Sequence, residues 1–321
     1  MMIARIGLVV ATGMLTATGA FSQNYPTKPV RVIIPISAGS GLDIVGRAIS
    51  QKLSELWGVQ LVADNRPGAG GSLGTAIVAR APADGYTLLV SGNGHAVNTV
   101  LYSKLPYDAR KDFIEVASIA ALYQVIVVAP SMGVKSVSQL IGVAKGKPGQ
   151  VTYASPGVGT GVHFAGEKFR LAAGIDVVHV PYKGGPEAMN DVMMARVNYW
   201  IPSIGTALPF IQSNRLLALG VSSQRRSDLL PEVPTIIEAG VPGYESSLWF
   251  GIWAPAGTPP SIVDKVSKDV ARLVNAPELT EQFRKLAGEP MSMTPVEFAR
   301  FVRGELESVS RIAKAAGIKP Q

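Results

Sequence analysis

The chain contains no cysteine. Disulfides, thiolate metal sites, a cysteine nucleophile and a lipid-modified N-terminal cysteine are therefore all excluded. Histidine is almost as scarce: His95, His163 and His179 are the whole supply, and none forms the HxxxH or HExxH spacing of a helix-borne zinc site. No metal and no cofactor is expected. GxxxxGK[ST] is missing, and neither Gly39-Ser40-Gly41 nor Gly157-Val158-Gly159-Thr160-Gly161 completes GxGxxG, so the usual nucleotide cradles are absent. A hydrolase elbow of the GxSxG type is missing too, because Ser155 in Tyr153-Ala154-Ser155-Pro156-Gly157 lacks the preceding glycine and Ser40 stands between two glycines without the motif.

Charge is sparse and of mixed sign. Charged residues make up 17% of the chain, the formal net charge is +7 and the pI is near 9.5. The basic residues are scattered, and the densest groups, Arg225-Arg226 and Lys145 with Lys147, are not interleaved with aromatics. This excludes a nucleic-acid surface and leaves a modest positive field that favours the arrival of anions.

The N-terminus is different in texture. Met1 to Arg5 is short and basic, Ile6 to Ala20 is apolar and uncharged, and Ala20-Phe21-Ser22 is a small-x-small site. That pattern reads as a signal peptide over residues 1–22, cleaved near Ser22, with an apolar stretch too short to span a bilayer comfortably. No later segment approaches spanning length without charges or prolines. An exported chain of this size without disulfides fits a bacterial periplasm.

What is present is a unit that occurs twice: a β-branched strand, a glycine loop, an amphipathic helix and a second strand. In the first copy Val30 to Ile34 predicts a strand, Gly39-Ser40-Gly41 the loop, Asp43 to Leu56 the helix and Val59 to Val62 the next strand. In the second, the corresponding parts are Val151 to Ala154, Gly157 to Gly161, Val162 to Ala173 and Ile175 to Val180. Each copy aims a helix N-terminus, with unpaired N–H groups and a partial positive charge, beyond its strand. One such terminus contributes about 0.3 to 2 kcal/mol, whereas micromolar capture needs about 8. Side chains, further backbone groups, waters and closure must supply the rest. Without a cradle lysine, the loops suit carboxylates.

Ser72 to Ala79 predicts a helix, and Tyr86 to Val90 a strand that ends in Ser91-Gly92-Asn93-Gly94-His95. Such alternation implies a parallel sheet with helices on both faces and a ligand site off the carboxyl ends of the strands. Two long apolar runs, Gln124 to Val128 and Leu248 to Ala254, read as crossings between lobes. The expected fold is therefore α/β, with two doubly wound lobes joined by two crossing strands and suited to hinge closure. Residues 25–124 with 249–321 form one lobe and 125–248 the other. C-terminal helices are predicted at Ser261 to Asn275, Pro277 to Ala287, and after the capping box Thr294-Pro295-Val296-Glu297.

Several side chains have two readings. Asp43 either completes the helix cap or meets a ligand donor. His95 and His163 either line the cleft or satisfy local backbone groups, while His179 belongs to a sheet face. Tyr182 and Lys183 either reach an anion or stay solvated.

Taken together, YPTKPVRVIIP, DNRPGAGGSLG, ARAPADGYTLL, LPYDARKDF, YASPGVGTG with His163, HVPYKGG and LWFGIWAPAGTP span the chain from Tyr25 almost to its end. In these segments it resembles the extracytoplasmic receptors of tripartite tricarboxylate transporters, the Bordetella uptake gene family. The resemblance implies a periplasmic binding protein of type II that is not an enzyme. It would act as a monomer, bind a small organic carboxylate and deliver it to integral-membrane subunits. It also implies a site built from two loops, Ser37, Ala38, Gly39, Ser40, Gly41 and Asp43 in one and Ser155, Gly157, Gly159, Thr160 and His163 in the other. Asn93, His95, Asn98, Tyr182, Lys183 and Gly184 support them, and Asn198 and Ser203 complete the candidate set.

The chain departs from the family pattern at Ser40, where relatives usually have a second glycine, and at Leu42, where they have a small polar residue. Asn198 and Pro202 stand where relatives often carry aspartates. Loss of those carboxylates disfavours an amino-acid ligand, and Tyr199 and Trp200 either face an apolar or aromatic carboxylate or pack in the core. An exported enzyme acting on a small carboxylate, and a periplasmic sensor partner using the same clamp, remain the rival readings.

Overall fold

The computed structural model describes residues 25–315, 317, 318 and 320; the signal peptide expected at 1–22 lies outside them. The first half runs β1 (Val30–Ile34), α1 (Gly41–Trp57), β2 (Leu61–Asn65), α2 (Ser72–Ala79), β3 (Thr87–Gly92), α3 (Asn93–Leu101), β4 (Phe113–Tyr123), β5 (Val125–Val128) and α4 (Val137–Gly146). There follow β6 (Val151–Ser155), α5 (Gly161–Ala173), β7 (Val177–Pro181), α6 (Gly185–Met193), β8 (Tyr199–Trp200), α7 (Ile204–Gln212) and β9 (Leu217–Val221). The chain closes with β10 (Ser247–Pro255), α8 (Pro260–Val274), α9 (Pro277–Arg284), β11 (Gly288–Pro290) and α10 (Pro295–Ala315).

These strands make two sheets, ordered β11-β4-β10-β3-β1-β2 and β7-β6-β8-β5-β9. Each is parallel where the doubled unit lies, since β1 pairs in parallel with β2 and β3, and β6 with β7 and β8. Each is antiparallel elsewhere, so the sheets are mixed rather than wholly parallel. The reason is the return of the chain: β10 runs back between β3 and β4, and β5 runs back between β8 and β9.

The chain passes between the sheets at Gln124 and again at Ser246, where a buried polar knot ties the two passages. The Gln124 amide nitrogen donates to the Ile201 carbonyl at 2.8 Å, and its carbonyl oxygen accepts from the Ser246 hydroxyl at 2.8 Å. The Ser222 hydroxyl accepts from the Gln124 backbone N–H and donates to the Ser246 carbonyl. Gln124 is wholly buried, and its amide donor and acceptor are thereby both paired, as an interior position demands.

Local chemistry explains the helices. Ser40 caps α1 by accepting the Asp43 N–H, Thr160 caps α5 by accepting the His163 N–H, and left-handed glycines end both helices at Gly58 and Gly174. The box at Thr294 and Glu297 forms as predicted, with each partner bonded to the other's backbone N–H. On α8 the buried stripe Val263, Val266, Val270 and Val274 recurs at helical spacing. Trp249 and Trp253 of β10 pack against Phe298 of α10, while Tyr153, Phe169, Tyr199 and Tyr244 fill the second sheet's other face.

Candidate functional site

A cavity of about 450 Å³ lies between the loops at the carboxyl ends of the two sheets, within the size range of small-ligand pockets. One side is the β1–α1 loop, where Ser37, Ala38, Gly39, Ser40 and Gly41 all reach the wall. The other includes Thr160 at the head of α5, and Asn93 and Ser203 complete the candidates found on the wall.

The capping geometry decides what these two walls offer. The first N–H groups of a helix have no intrahelical acceptor. On α1 the Asp43 N–H goes to the Ser40 hydroxyl and the Ile44 N–H to the Ser40 carbonyl. On α5 the His163 and Phe164 N–H groups go to the same two atoms of Thr160. Gly41 and Leu42 on one helix, and Gly161 and Val162 on the other, are left with their N–H groups unclaimed by the turn before them. All four residues line the cavity. Backbone donors at two positive helix ends have the chemistry that holds an anion.

The loops around the cavity meet. A Cβ placed on Gly159, whose φ is +87°, would stand 2.3 Å from the Asn98 Oδ1, and one on Gly70 would stand 2.5 Å from the Val158 carbonyl oxygen. Only glycine allows so close an approach of backbone from the two halves. The Ser37 hydroxyl donates to the Lys183 carbonyl at 3.3 Å across the same boundary. These contacts bridge the two sets of loops beside the cavity.

The remaining candidates stand behind the wall and hold it. Asp43 accepts from the Gly39 N–H, the Arg47 Nε and the Asn65 amide, each at 2.9 Å, so its carboxylate fixes the loop instead of facing the cavity. Asn98 donates to the Gly70 carbonyl at 3.0 Å. Asn93 reaches the wall, but its amide oxygen and nitrogen are bonded to the backbone of Trp249 and Ser247. Ser155 is wholly buried, and its hydroxyl lies 2.6 Å from the His179 Nε2 and accepts from the Gly157 N–H. Gly157 in turn accepts from the Thr160 hydroxyl.

The histidines share that supporting role. His163 stacks on His179 with ring centres 4.1 Å apart and accepts from the Gly159 N–H. Burial lowers its pKa, and burial followed by the His163 neighbour pulls His179 down to about 3. His95 is enclosed by Tyr107, Phe113 and Trp253, and burial pulls it down to about 4. It was a cleft candidate because it follows β3, but α3 starts at Asn93 without a loop and turns the imidazole into the core.

Tyr182 donates to Asp191, Lys183 is exposed and contributes its backbone carbonyl, and Gly184 precedes α6 beside Ser37. Asn198 accepts from the Thr152 N–H and hydroxyl, tying β6 to the approach of β8. None of these four lines the cavity.

Against this geometry, the chain matches the model of the tripartite tricarboxylate transporter family receptor over residues 45–318. The chain belongs to this receptor family. The protein BugT of Bordetella pertussis is 31% identical over 320 residues, which is 99% of this chain and 98% of BugT. The structure of the R. palustris protein Rpa4515 with adipate is 34% identical, covers 92% of this chain and all of its own, and superposes with a TM-score of 0.89. MatC from Rhodopseudomonas palustris with bound malate is 27% identical, covers 90% of this chain and 99% of its own, and gives a TM-score of 0.83.

Among the receptor's wall residues, sequence reasoning missed Met189 and Asn190 on α6, Thr206 and Phe210 on α7, and Leu248 and Phe250 on β10. The signal that could have found them is topological. α6 and α7 start directly after β7 and β8, at the same carboxyl edge as the glycine loops. Trp200, weighed between cavity and core, stands on the wall at 2% exposure, and its indole N–H is buried without a partner. Tyr199, its neighbour, is core. No lysine, arginine, aspartate, glutamate or histidine is on the wall among the described residues. One hydrogen bond to a charged group returns about 1.5 to 3 kcal/mol, short of the several kcal/mol that desolvating a carboxylate costs.

Proposed function

We propose that this chain is a periplasmic, monomeric receptor that captures a small carboxylate-bearing solute in the closed cleft and presents it to the integral-membrane subunits of a tripartite transporter. The lobes that close on the ligand are residues 25–124 with 249–321, and 125–248. The observation that carries the reading is the set of four unclaimed N–H groups, at Gly41, Leu42, Gly161 and Val162, converging on one cavity from two capped helices. Related proteins solved with adipate and with malate support a carboxylate as the captured group. Among the described residues no helix is long and apolar enough to cross a membrane, so contact with the carrier falls to the folded surface.

Binding without turnover is part of the proposal. All three imidazoles are off the wall, and burial holds each below its ordinary pKa. A cavity without an acid or base side chain binds without general acid–base chemistry.

Calorimetric titration with small carboxylates, each beside its primary amide, tests the proposal. The carboxylates bind and the amides do not. Equal binding of amide and carboxylate would remove the anion from the account.

A further inference from the structure

Resting on the receptor reading, we infer that His179 is a positioning residue of the carboxylate site: it ties the loop from Ser155 to Thr160 to the head of α5 and so sets where the Gly161 and Val162 N–H groups stand. His179 does not line the cavity. It acts through its neighbours. Tyr199 of β8, Tyr153 of β6 and His179 of β7 lie side by side in register on three adjacent strands. Ring centres are 5.7 Å apart between the tyrosines and 4.8 Å apart between Tyr153 and His179. The helix α5 rests along this row. Phe169 meets Tyr199 edge-on at 6.0 Å, Gly166 lies so close to Tyr153 that a Cβ there would stand 2.3 Å from the ring, and His163 stacks on His179 at 4.1 Å. The Tyr153 hydroxyl donates to Glu167 at 2.6 Å and holds the middle of the helix in place.

The His179 end of the row differs from the rest because it also reaches the loop. Its Nε2 stands 2.6 Å from the wholly buried Ser155 hydroxyl, which accepts from the Gly157 N–H. The Gly157 carbonyl accepts from the hydroxyl of Thr160, the cap of α5. One imidazole therefore bears on the helix with its face and on the loop with its edge. Burial, then the His163 neighbour, pulls its pKa down to about 3, so the ring stays neutral and keeps one donor and one acceptor nitrogen. Amide donors hold an anion best when they are fixed in place beforehand, and a side chain that fixes them governs affinity without touching the ligand.

Calorimetry of the mature protein with hexanoate, adipate, malate and benzoate first selects the acid that the wild type binds most tightly. His179→Phe keeps a ring on the stack and removes the nitrogen beside Ser155, whose hydroxyl can still donate to the Gly157 carbonyl at 3.1 Å. It binds that acid at least tenfold more weakly, with a thermal midpoint close to that of the wild type. His179→Gln, which returns a polar atom near the Nε2 position, recovers to within threefold of the wild type. Ser155→Ala leaves the row of rings intact and loses a factor similar to that of His179→Phe. The double variant binds within threefold of the weaker single, because both changes remove one link. Wild-type affinity in His179→Phe, no recovery in His179→Gln, or losses that multiply in the double variant overturns this inference while leaving the receptor reading intact. Binding of none of the four acids to a folded wild-type protein overturns both.

Discussion

Ser40 and Thr160 perform the same act on the two walls of the cavity: each hydroxyl accepts the N–H three residues ahead, at 3.2 Å, and the two residues between cap and acceptor bond line the cavity. A cap of this kind contributes about 0.5 to 2 kcal/mol. Ser40→Ala and Thr160→Ala should each lower unfolding free energy by about 1 kcal/mol in urea titrations. The sites lie on different sheets, so the double variant should show the sum. Carboxylate affinity should fall in each, because the donor pair then rests on a frayed turn.

Closure depends on Gly159 meeting Asn98 and Gly70. Gly159→Val introduces a side chain where a Cβ already stands 2.3 Å from the Asn98 amide oxygen, at a φ of +87° that costs an L residue about 1 to 2 kcal/mol. The protein should remain folded with a lowered thermal midpoint and lose affinity by at least a hundredfold. Gly133→Ala, at φ +73° with open space around it, is the control for backbone strain alone and should bind normally.

The contact from Ser37 to the Lys183 carbonyl is exposed and 3.3 Å long. Such a bond contributes at the low end of the usual 0.5 to 1.5 kcal/mol. Ser37→Ala should therefore speed ligand release by about two- to threefold, followed in stopped flow through Trp200 fluorescence, with little change in association rate.

The knot at the crossing makes a stability prediction. Gln124→Ala strands the buried Ile201 carbonyl and removes the acceptor of the half-buried Ser246 hydroxyl. An unsatisfied buried group costs about 1 to 3 kcal/mol, so the urea midpoint should drop by an amount equivalent to about 1 to 3 kcal/mol.

The buried histidines set a pH dependence. His95 and His179 are held neutral, with pKa values near 4 and 3 against 6.5 in an unfolded chain. Below pH 6.5 the unfolded chain binds protons that the folded one refuses. Their contribution is full above 6.5 and falls away as pH drops toward 4, by at most about 1.4 kcal/mol per pH unit for each group. Glu115, raised by burial, opposes this, and the exposed carboxylates with lowered pKa add their own loss at lower pH. Imidazole proton shifts in NMR separate the terms: His95 and His179 should not titrate between pH 7 and 5.

Much of this was legible in the residues because it is written locally. The Ser40 and Thr160 loops, the Thr294 box and the apolar runs at 124–128 and 248–254 are each a few residues long, and each formed close to where its pattern placed it. The doubled glycine loops led to the cavity for the same reason. What was not legible is which side of an element a side chain takes when two elements meet without a loop. His95 follows β3 directly on α3 and turns inward, and His163 lies behind the loop it was expected to arm. Likewise Phe210, Met189 and Phe250 come from three distant elements that only the closed fold brings to one wall.

The central claim is that one carboxylate sits between the amides of Gly41 and Leu42 and those of Gly161 and Val162. A crystal structure of the mature protein saturated with the small carboxylate that binds it most tightly in calorimetric titration tests it most directly. The account predicts carboxylate oxygens within hydrogen-bond reach of N–H groups on both helices, directly or through one water, with the carbon body against Trp200 and Phe210. A carboxylate found at the Trp200 end, or held by a side-chain cation, would contradict it.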